Sequence, residues 1–154
     1  MSVISILSDF GIDDEYVGVM KGVMLSICPS VSIVDITHQI EPQDVHQAAY
    51  LVPSYYHFFP EGTVHIVVVD PGVGRRRGIL AVKHREHFFI APDNGVLTLL
   101  LNAEKSDRII RVDNPAYFLE PLSSTFHGRD IFAALGANLS CGTKLDALGS
   151  RIDA

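Results

Sequence analysis

The amino-acid sequence predicts an α/β protein in which a mostly parallel sheet carries helices on both faces, giving three layers. Short apolar runs rich in β-branched residues alternate with stretches whose apolar residues recur at helical spacing, as in such folds. The run from Thr63 to Val69 is nearly all apolar and β-branched, which is typical of a central strand covered on both faces. The 154 residues, of which 47% are hydrophobic, suffice for one compact domain over residues 1–154.

The first strand is predicted from Val3 to Leu7. A helix then opens at Asp13 and Asp14, and Pro29 stops it because proline cannot continue the backbone hydrogen bonds. The apolar residues of this stretch have the spacing of one buried helix face. They are Val17, Met20, Val23, Met24 and Ile27.

The second strand and helix repeat this order. The strand covers Ser32 to Thr37. Asp44 is placed to cap the next helix, because its side chain can accept a hydrogen bond from a free N–H group of the first turn. Pro53 is expected to kink or end that helix before the aromatic segment 55–59.

Beyond the central strand, the predicted strands lie close together in the sequence. Ile79 to Lys83 and Phe88 to Ala91 form a pair around a polar turn. Residues 92–95 form a second turn, rich in the residue types that turns favour, and lead into a helix from Val96 to Leu101. Another strand runs from Arg108 to Val112.

The last predicted element is a helix that Gly142 ends. Its apolar residues are Ile131, Phe132, Leu135 and Leu139. After Gly142 the hydrophobic pattern fades, and we predict no further strand or helix there.

Polar side chains gather where the predicted strands end. Asp9, His38 and Asp70 each follow a strand, and His127 lies in a loop directly before a helix. In open α/β sheets, ligands bind in the crevice beyond the carboxyl ends of the strands. Several polar groups that converge there are what such a crevice requires. The sequence therefore predicts a ligand site at one edge of the sheet.

The strongest candidate in this site is Asp70, which precedes a glycine-rich bend and three arginines. The bend allows Arg77 to fold back onto the carboxylate, and the guanidinium would keep that carboxylate ionised. Such a pair suits the positioning of a water molecule better than a difficult proton abstraction. Arg75 and Arg76 are alternative partners. A structural ion pair and a bare anion-binding nest are alternative interpretations.

His127 and Asp9 are the next candidates. An imidazole just before a helix can orient a water or exchange a proton near neutral pH, although capping or surface roles are more common. Asp9 could accept hydrogen bonds from ribose hydroxyls, or it could be an N-cap or an Asx turn for the helix that follows. Asp130 could be no more than a favourable charge in the first helical turn. A metal site of His38, His57 and His127 is disfavoured, because their spacing matches no zinc signature.

The composition disfavours several classes of protein. The formal net charge is −6 and the basic residues form no stripe apart from residues 75–77, so binding to nucleic acid is not expected. Cys28 and Cys141 match no metal or redox spacing and are predicted to be reduced, buried residues of a cytoplasmic protein. We predict no signal peptide, no membrane-spanning segment and no association with a membrane.

Seven blocks of the sequence together resemble one known family. They are Ser8-Asp9-Phe10-Gly11, Tyr16-Val17-Gly18-Val19-Met20-Lys21-Gly22, Val34-Asp35-Ile36-Thr37-His38, Phe59-Pro60-Glu61-Gly62-Thr63-Val64, Val69-Asp70-Pro71-Gly72-Val73-Gly74, Ala91-Pro92-Asp93-Asn94-Gly95 and Thr125-Phe126-His127-Gly128-Arg129-Asp130. The family is that of the S-adenosyl-L-methionine (SAM) hydrolases that form adenosine, also called SAM hydroxide adenosyltransferases. Fluorinases and chlorinases are its relatives. The blocks follow the family's order and cover nearly the whole chain.

The resemblance implies a reaction in which water, as incipient hydroxide, displaces methionine from C5′ of SAM. It implies a catalytic triad of Asp70, Arg77 and His127, which selects Arg77 among the three arginines. It implies no cofactor, because SAM is the substrate itself. It also implies the α/β fold of the family's N-terminal domain.

Further site residues are implied by the same resemblance. Asp9 matches the residue that holds the ribose hydroxyls, and Asp14 and Gly128 match positions that line the substrate site. The halogenating relatives carry an aromatic residue in place of Asp70 and a Tyr-Ser pair in place of His127 and Gly128. Retention of the aspartate and the histidine therefore favours hydroxide over halide as the nucleophile.

The family implies a larger assembly as well. Its members continue into a second, mainly β domain, which a neighbouring subunit of a homotrimer contributes to the substrate site. This chain is expected to lack that domain. The alternative function is accordingly a truncated module that binds adenosine or SAM without turning it over.

Overall fold

A computed structural model describes residues 2–153, whose strands join in a single sheet. The strands are β1 (Val3–Ser8), β2 (Ser32–Thr37), β3 (Val64–Val68), β4 (Ile79–His84), β5 (His87–Pro92), β6 (Arg108–Val112) and β7 (Gly149–Ile152). The helices are α1 (Tyr16–Ile27), α2 (Val45–Tyr55), α3 (Thr98–Ala103) and α4 (Ala134–Ser140), with a π-helical turn at Gly128–Ala133 that runs directly into α4. Short 3₁₀ turns lie at Tyr56–Phe58, Pro115–Tyr117 and Leu145–Leu148.

The predicted α/β class is confirmed, but the sheet is evenly mixed rather than mostly parallel. Its strand order is β2-β1-β3-β5-β4-β6-β7. The pairs β1–β2, β1–β3 and β3–β5 are parallel, and the pairs β4–β5, β4–β6 and β6–β7 are antiparallel. Only Arg85 and Glu86 separate β4 from β5, and so short a connection joins antiparallel neighbours.

Helices cover both faces of the sheet, as predicted. One apolar layer packs against α1, the π-helical turn and α4, and the other packs against α2 and α3. Successive side chains of β3 alternate between the layers, because strand side chains point to opposite faces. Ile66 and Val68 belong to the α1–α4 layer, and Val67 and Val69 to the α2–α3 layer. The same alternation assigns Asp70 to the α1–α4 face.

Gly136 allows α4 to lie close against β3. A Cβ atom at this position would come 2.5 Å from Cδ1 of Ile66, which real Cβ contacts do not permit. Glycine lowers the helix propensity at this position, but because it has no side chain it allows α4 to approach the central strand closely.

The predicted strands β2 and β6 have the bounds that the sequence indicates, whereas the end of the chain was wrongly predicted to be without structure. Residues 149–152 form β7, which pairs with β6 in antiparallel register. This strand is short and half exposed, so it lacks the apolar alternation that marks a strand in a sequence. Pro53 lies inside α2 instead of ending it.

The prediction of two reduced cysteines was wrong as well. Cys28 and Cys141 form a disulfide with their Cα atoms 5.7 Å apart, a separation within the range of native disulfides. Each residue is the C-cap of its helix, α1 and α4 respectively, and these helices pack side by side. A separation of 113 residues conceals this contact in the sequence, because the packing of the two helices creates it.

Within residues 2–153, no helix combines the length and the apolarity that crossing a bilayer demands.

Candidate active site

The carboxylate of Asp70 lies just beyond the end of β3, in contact with Arg77. Nε and Nη2 of Arg77 both donate to Oδ2 of Asp70, and the Nε distance is 2.9 Å. The side chains are 5% exposed for Asp70 and 11% for Arg77, so this ion pair is shielded from water. Arg75 and Arg76, the alternative partners in the sequence, are exposed.

The loop that brings Arg77 back depends on Gly74. This residue has a φ of 74°, in the left-handed region, and a Cβ atom there would lie 2.2 Å from the backbone oxygen of Ser124. A side chain at this position would therefore push the loop 71–77 away from the segment before His127. The glycine-rich bend that the sequence shows is a requirement of this close approach.

His127 contacts the other side of the same guanidinium. Nη2 of Arg77 donates to Nδ1 of His127 across 2.8 Å. Because a guanidinium only donates, Nδ1 must accept, and the neutral ring then carries its proton on Nε2. Burial lowers the pKa of His127, and the charge of Arg77 lowers it further. The imidazole is therefore neutral at neutral pH and offers an N–H donor at Nε2.

One carboxylate oxygen of this group is left open. Oδ1 of Asp70 is buried, yet it accepts no hydrogen bond from any residue that the structure describes. A buried acceptor without a partner is rare in native proteins, because its desolvation is uncompensated. Asp70 and His127 line the same cavity, whose volume is about 50 Å³. This volume holds water, and because the cavity is open on one side, a larger ligand could contact its lining while extending beyond it.

Asp9 lines this cavity too. Its Oδ2 accepts a hydrogen bond from the backbone N–H of Gln43 at 2.8 Å, in the loop between β2 and α2. Asp9 does not cap α1, which begins after Glu15 and has no side-chain cap. Of the two interpretations of Asp9 in the sequence, helix capping is therefore wrong.

The structure places Asp14 and Gly128 differently with respect to this cavity. Asp14 is exposed and is not among the lining residues, and its Oδ1 accepts a hydrogen bond from the backbone N–H of Tyr16 at 3.0 Å. Gly128 is buried and lines the cavity. A Cβ atom on Gly128 would lie 3.0 Å from Cζ of Phe10 and 3.1 Å from the hydroxyl of Tyr16, so a side chain here would require these two rings to shift.

Sequence reasoning missed the aromatic residues of the cavity, Phe10 and Tyr16. Their ring centroids are 4.4 Å apart. Burial raises the pKa of Tyr16 to about 12, which keeps its hydroxyl neutral. The signal was weak, because an aromatic residue at the start of an amphipathic helix is typical of core packing. Val68, Val73 and Thr125 complete the lining.

Two polar side chains outside the cavity hold the segments that carry the site. The buried Asp130 accepts from the backbone N–H of Ser123 at 2.8 Å and from Nε of Arg129 at 2.7 Å, which ties down the loop before His127. Asn94 donates to the backbone oxygen of Val69 at 2.8 Å, next to Asp70. The π-helical turn begins at Gly128, and such turns are frequent at functional sites.

The three histidines considered for a metal have separate partners. His38 contacts Ser8 through Nδ1 and Asp35 through Nε2. His57 packs on the ring of Phe58. No group of three or more His, Cys, Asp or Glu side chains in the described part of the chain is arranged to hold a metal ion.

Comparison with known proteins agrees with the resemblance in the sequence. Residues 4–149 match the family model of the SAM hydroxide adenosyltransferase N-terminal domain. The (R)-S-adenosyl-L-methionine hydrolase of Thermus thermophilus is 36% identical over 159 aligned residues, which cover 99% of this chain and 62% of that protein. A fluorinase of Nocardia brasiliensis is 31% identical, with 97% of this chain and 58% of the fluorinase covered.

A solved structure shows the same fold. The crystal structure of an uncharacterized conserved protein from Thermotoga maritima superposes with a TM-score of 0.95 at 41% identity, covering 98% of this chain and 59% of that one. The chain thus spans about three fifths of the length of the relatives that it matches.

Proposed function

This chain belongs to the SAM hydroxide adenosyltransferase family, and we propose that it hydrolyses S-adenosyl-L-methionine to adenosine and L-methionine. One observation carries the proposal. Arg77 contacts both Asp70 and His127, and beside this contact the buried Oδ1 of Asp70 has no hydrogen-bond partner within residues 2–153. A water molecule is the ligand that would satisfy such an acceptor in so small a cavity.

We assign each residue of the triad a separate task. Oδ1 of Asp70 accepts a hydrogen bond from the attacking water and takes its proton as the new bond forms. Nε2–H of His127 donates to the water oxygen and so directs its second lone pair to the substrate. Arg77 fixes both side chains through its two contacts. Holding the nucleophile in line in this way lowers the entropic part of the barrier.

The proposed reaction requires neither a strong acid nor a strong base. A sulfonium leaves as a neutral thioether, so the leaving group needs no proton. The water oxygen forms a bond to C5′ as the C5′–S bond breaks, and the electron pair of that bond stays on sulfur. The charges of the carboxylate-bound nucleophile and the sulfonium fade together toward the transition state. A cavity that excludes bulk water therefore favours the reaction without a strong base.

The other predicted residues have binding roles in this proposal. Asp9 accepts hydrogen bonds from the ribose hydroxyls, a role supported by its place at the cavity and by a carboxylate fixed at one oxygen. Gly128 leaves room for the substrate beside the aromatic rings. Asp14 lies at the start of α1, outside the cavity lining, so it would contact only an outer part of the substrate. The open Oδ1 of Asp70 accepts a hydrogen bond, which water can donate and a halide cannot, and this favours water as the nucleophile.

Three further properties of the whole protein belong to the same proposal, and family resemblance supports the first and the last of them. They are assembly as a homotrimer, action in the cytoplasm and activity without a cofactor. The disulfide between Cys28 and Cys141 removes one support for the cytoplasmic location, because such bonds are rare in cytosolic proteins.

The test is the formation of adenosine from SAM, followed by chromatography. The wild-type protein should produce adenosine and methionine in equal amounts. Arg77→Ala should lower kcat/KM by roughly 100-fold or more, because both its partners lose their orientation. Arg76→Ala is the matched control in the same loop and should change kcat/KM by less than about twofold, because Arg76 is exposed. Binding of adenosine without turnover by the wild-type protein would exclude the proposal.

A further inference from the structure

Two aromatic rings stand beside the triad without a part in the proposed chemistry. Phe10 and Tyr16 line the cavity of Asp70 and His127, with their ring planes at 57° and their centroids 4.4 Å apart. We call these two rings the aromatic wall. The ring of Phe126, 5.2 Å from that of Tyr16, supports the wall from outside.

The aromatic wall is held in a fixed position. Gly128 packs against the edge of Phe10 and the hydroxyl of Tyr16, where a Cβ atom would leave contacts of only 3.0 and 3.1 Å. Tyr16 starts α1, and Phe10 follows the end of β1, so regular elements position both rings. Both residues therefore contribute aromatic surface to the cavity lining.

The triad itself carries little net charge. The carboxylate of Asp70 is neutralised by Arg77 through two hydrogen bonds, and His127 is neutral because burial lowers its pKa. A substrate with a permanent positive charge would therefore gain little from the triad itself, and Asp9, the other carboxylate of the cavity lining, is assigned to the ribose hydroxyls. The quadrupole of an aromatic ring attracts such cations, and desolvated sites strengthen the attraction.

We infer that the aromatic wall binds the sulfonium of the substrate by cation–π contact. Phe10 and Tyr16 are then the residues that select a sulfonium over a thioether. This inference rests on the proposed function. It adds to that function the residues that recognise the charge of the substrate, beside Asp9, which is assigned to its hydroxyls.

The inference has a kinetic consequence that a purely structural wall would not have. The positive charge on sulfur is greatest in the bound substrate and disappears as the thioether leaves. A cation–π contact therefore stabilises the ground state more than the transition state. Its loss raises KM without lowering kcat, whereas loss of a group that acts in the transition state lowers kcat.

The experiment measures the KM for SAM and the inhibition constants of S-adenosylhomocysteine, its neutral thioether counterpart, and of adenosine. Tyr16→Leu removes the ring, Tyr16→Phe keeps the ring without its hydroxyl, and Phe10→Leu tests the second ring. Tyr50→Leu is the control, since Tyr50 is an aromatic residue on α2 that is 75% exposed and not in the cavity lining.

The expected result is a loss of affinity for SAM, which carries the sulfonium, without a loss of affinity for the neutral ligands. Tyr16→Leu and Phe10→Leu should each raise the KM for SAM roughly 3- to 30-fold, with no fall in kcat. The inhibition constants of S-adenosylhomocysteine and adenosine should change by less than about twofold, and Tyr16→Phe should keep the preference for SAM.

Two results would overturn the inference while the proposed function stands. One is a wild-type protein that forms adenosine but binds S-adenosylhomocysteine as tightly as SAM. This result involves no variant, so it does not depend on whether a variant folds. The other is an equal loss of affinity for SAM and S-adenosylhomocysteine in Tyr16→Leu. A wild-type protein that forms no adenosine would instead end the proposed function, and this inference with it.

Discussion

Nη2 of Arg77 donates to Nδ1 of His127 across 2.8 Å, although fifty residues separate the two in the sequence. This contact sets the proton of the neutral imidazole on Nε2 and leaves Nε2–H as the hydrogen-bond donor of the ring. It also makes Arg77 the bridge of the site, because the same guanidinium holds Oδ2 of Asp70. The behaviour of the triad with pH and substitution follows from this arrangement.

The first prediction concerns the pH dependence of activity. Burial and the charge of Arg77 lower the pKa of His127 from 6.5, so the neutral ring persists through neutral pH and is protonated only in acid. Protonation would remove the acceptor at Nδ1 and set a second cation against Arg77. We expect kcat/KM to show no dependence on His127 between about pH 7 and pH 8, and to fall below about pH 6.5. A rise in activity as the pH falls from 8 to 6 would mean that the imidazolium is the active form.

The second prediction concerns the stability of the Asp70–Arg77 pair. Asp70→Asn keeps the shape of the side chain but leaves the guanidinium buried without a counter-charge. Urea unfolding at pH 7 should show a loss of about 3 kcal/mol in the free energy of unfolding. Asp93→Asn breaks the exposed contact with Arg111 at 3.9 Å and should cost less than about 1 kcal/mol. Equal losses in the two variants would show that the Asp70 pair is not shielded from water.

The site could be predicted from the sequence only in part. Asp70 was identifiable because an apolar strand leads directly to it, and strand ends in α/β sheets carry ligand sites. The choice of Arg77 over Arg75 and Arg76 came from family resemblance, since the path of a glycine-rich loop depends on contacts such as that of Gly74 with Ser124. Spacing carried no information on this choice.

Other features depended on tertiary contacts that a sequence does not display. Tyr16 has the pattern of a core residue, and its place in the cavity lining beside Gly128 results from tertiary packing. Cys28 and Cys141 meet because α1 and α4 end side by side. Strand β7 forms because β6 offers a free edge, and the pairing overrides its weak intrinsic preference.

The third prediction concerns the disulfide. Cys28 and Cys141 close a long loop of the chain, and such a bond restricts the unfolded state. Cys28→Ser with Cys141→Ser should lower the free energy of unfolding by about 2–5 kcal/mol. Wild-type protein treated with a reductant should lose a similar amount, while the double variant should not respond to the reductant. Titration of thiols in the unreduced, unfolded wild type should find none, and two free thiols would contradict the bond.

The fourth prediction concerns a buried histidine at the other end of the sheet. His65 is fully buried, contacts Ser5 and His87, and stacks on Phe89 at 4.9 Å. Burial, together with the charge of His87, lowers its pKa from 6.5 to about 3. Below pH 6.5 His65 therefore binds a proton in the unfolded chain but stays neutral in the folded chain. The stability that His65 contributes is complete above pH 6.5 and is lost as the pH falls toward 3.

The measurement for this prediction is urea unfolding at pH 7.5 and pH 5. On this basis His65 accounts for about 2 kcal/mol of the stability lost between these pH values, and His65→Gln should reduce that loss. His46→Gln serves as the control because His46 is exposed, and it should leave the loss unchanged. The same loss in His65→Gln and the wild type would assign the acid sensitivity to other groups.

The origin of the 5′-oxygen atom of the product adenosine tests most directly whether water attacks C5′ of SAM. The reaction is run with SAM in water enriched in oxygen-18, and the products are analysed by mass spectrometry. If water beside Asp70 attacks C5′, adenosine carries the label in its 5′-hydroxyl and methionine carries none. Adenosine without the label, or label in homoserine released together with methylthioadenosine, would contradict attack at C5′.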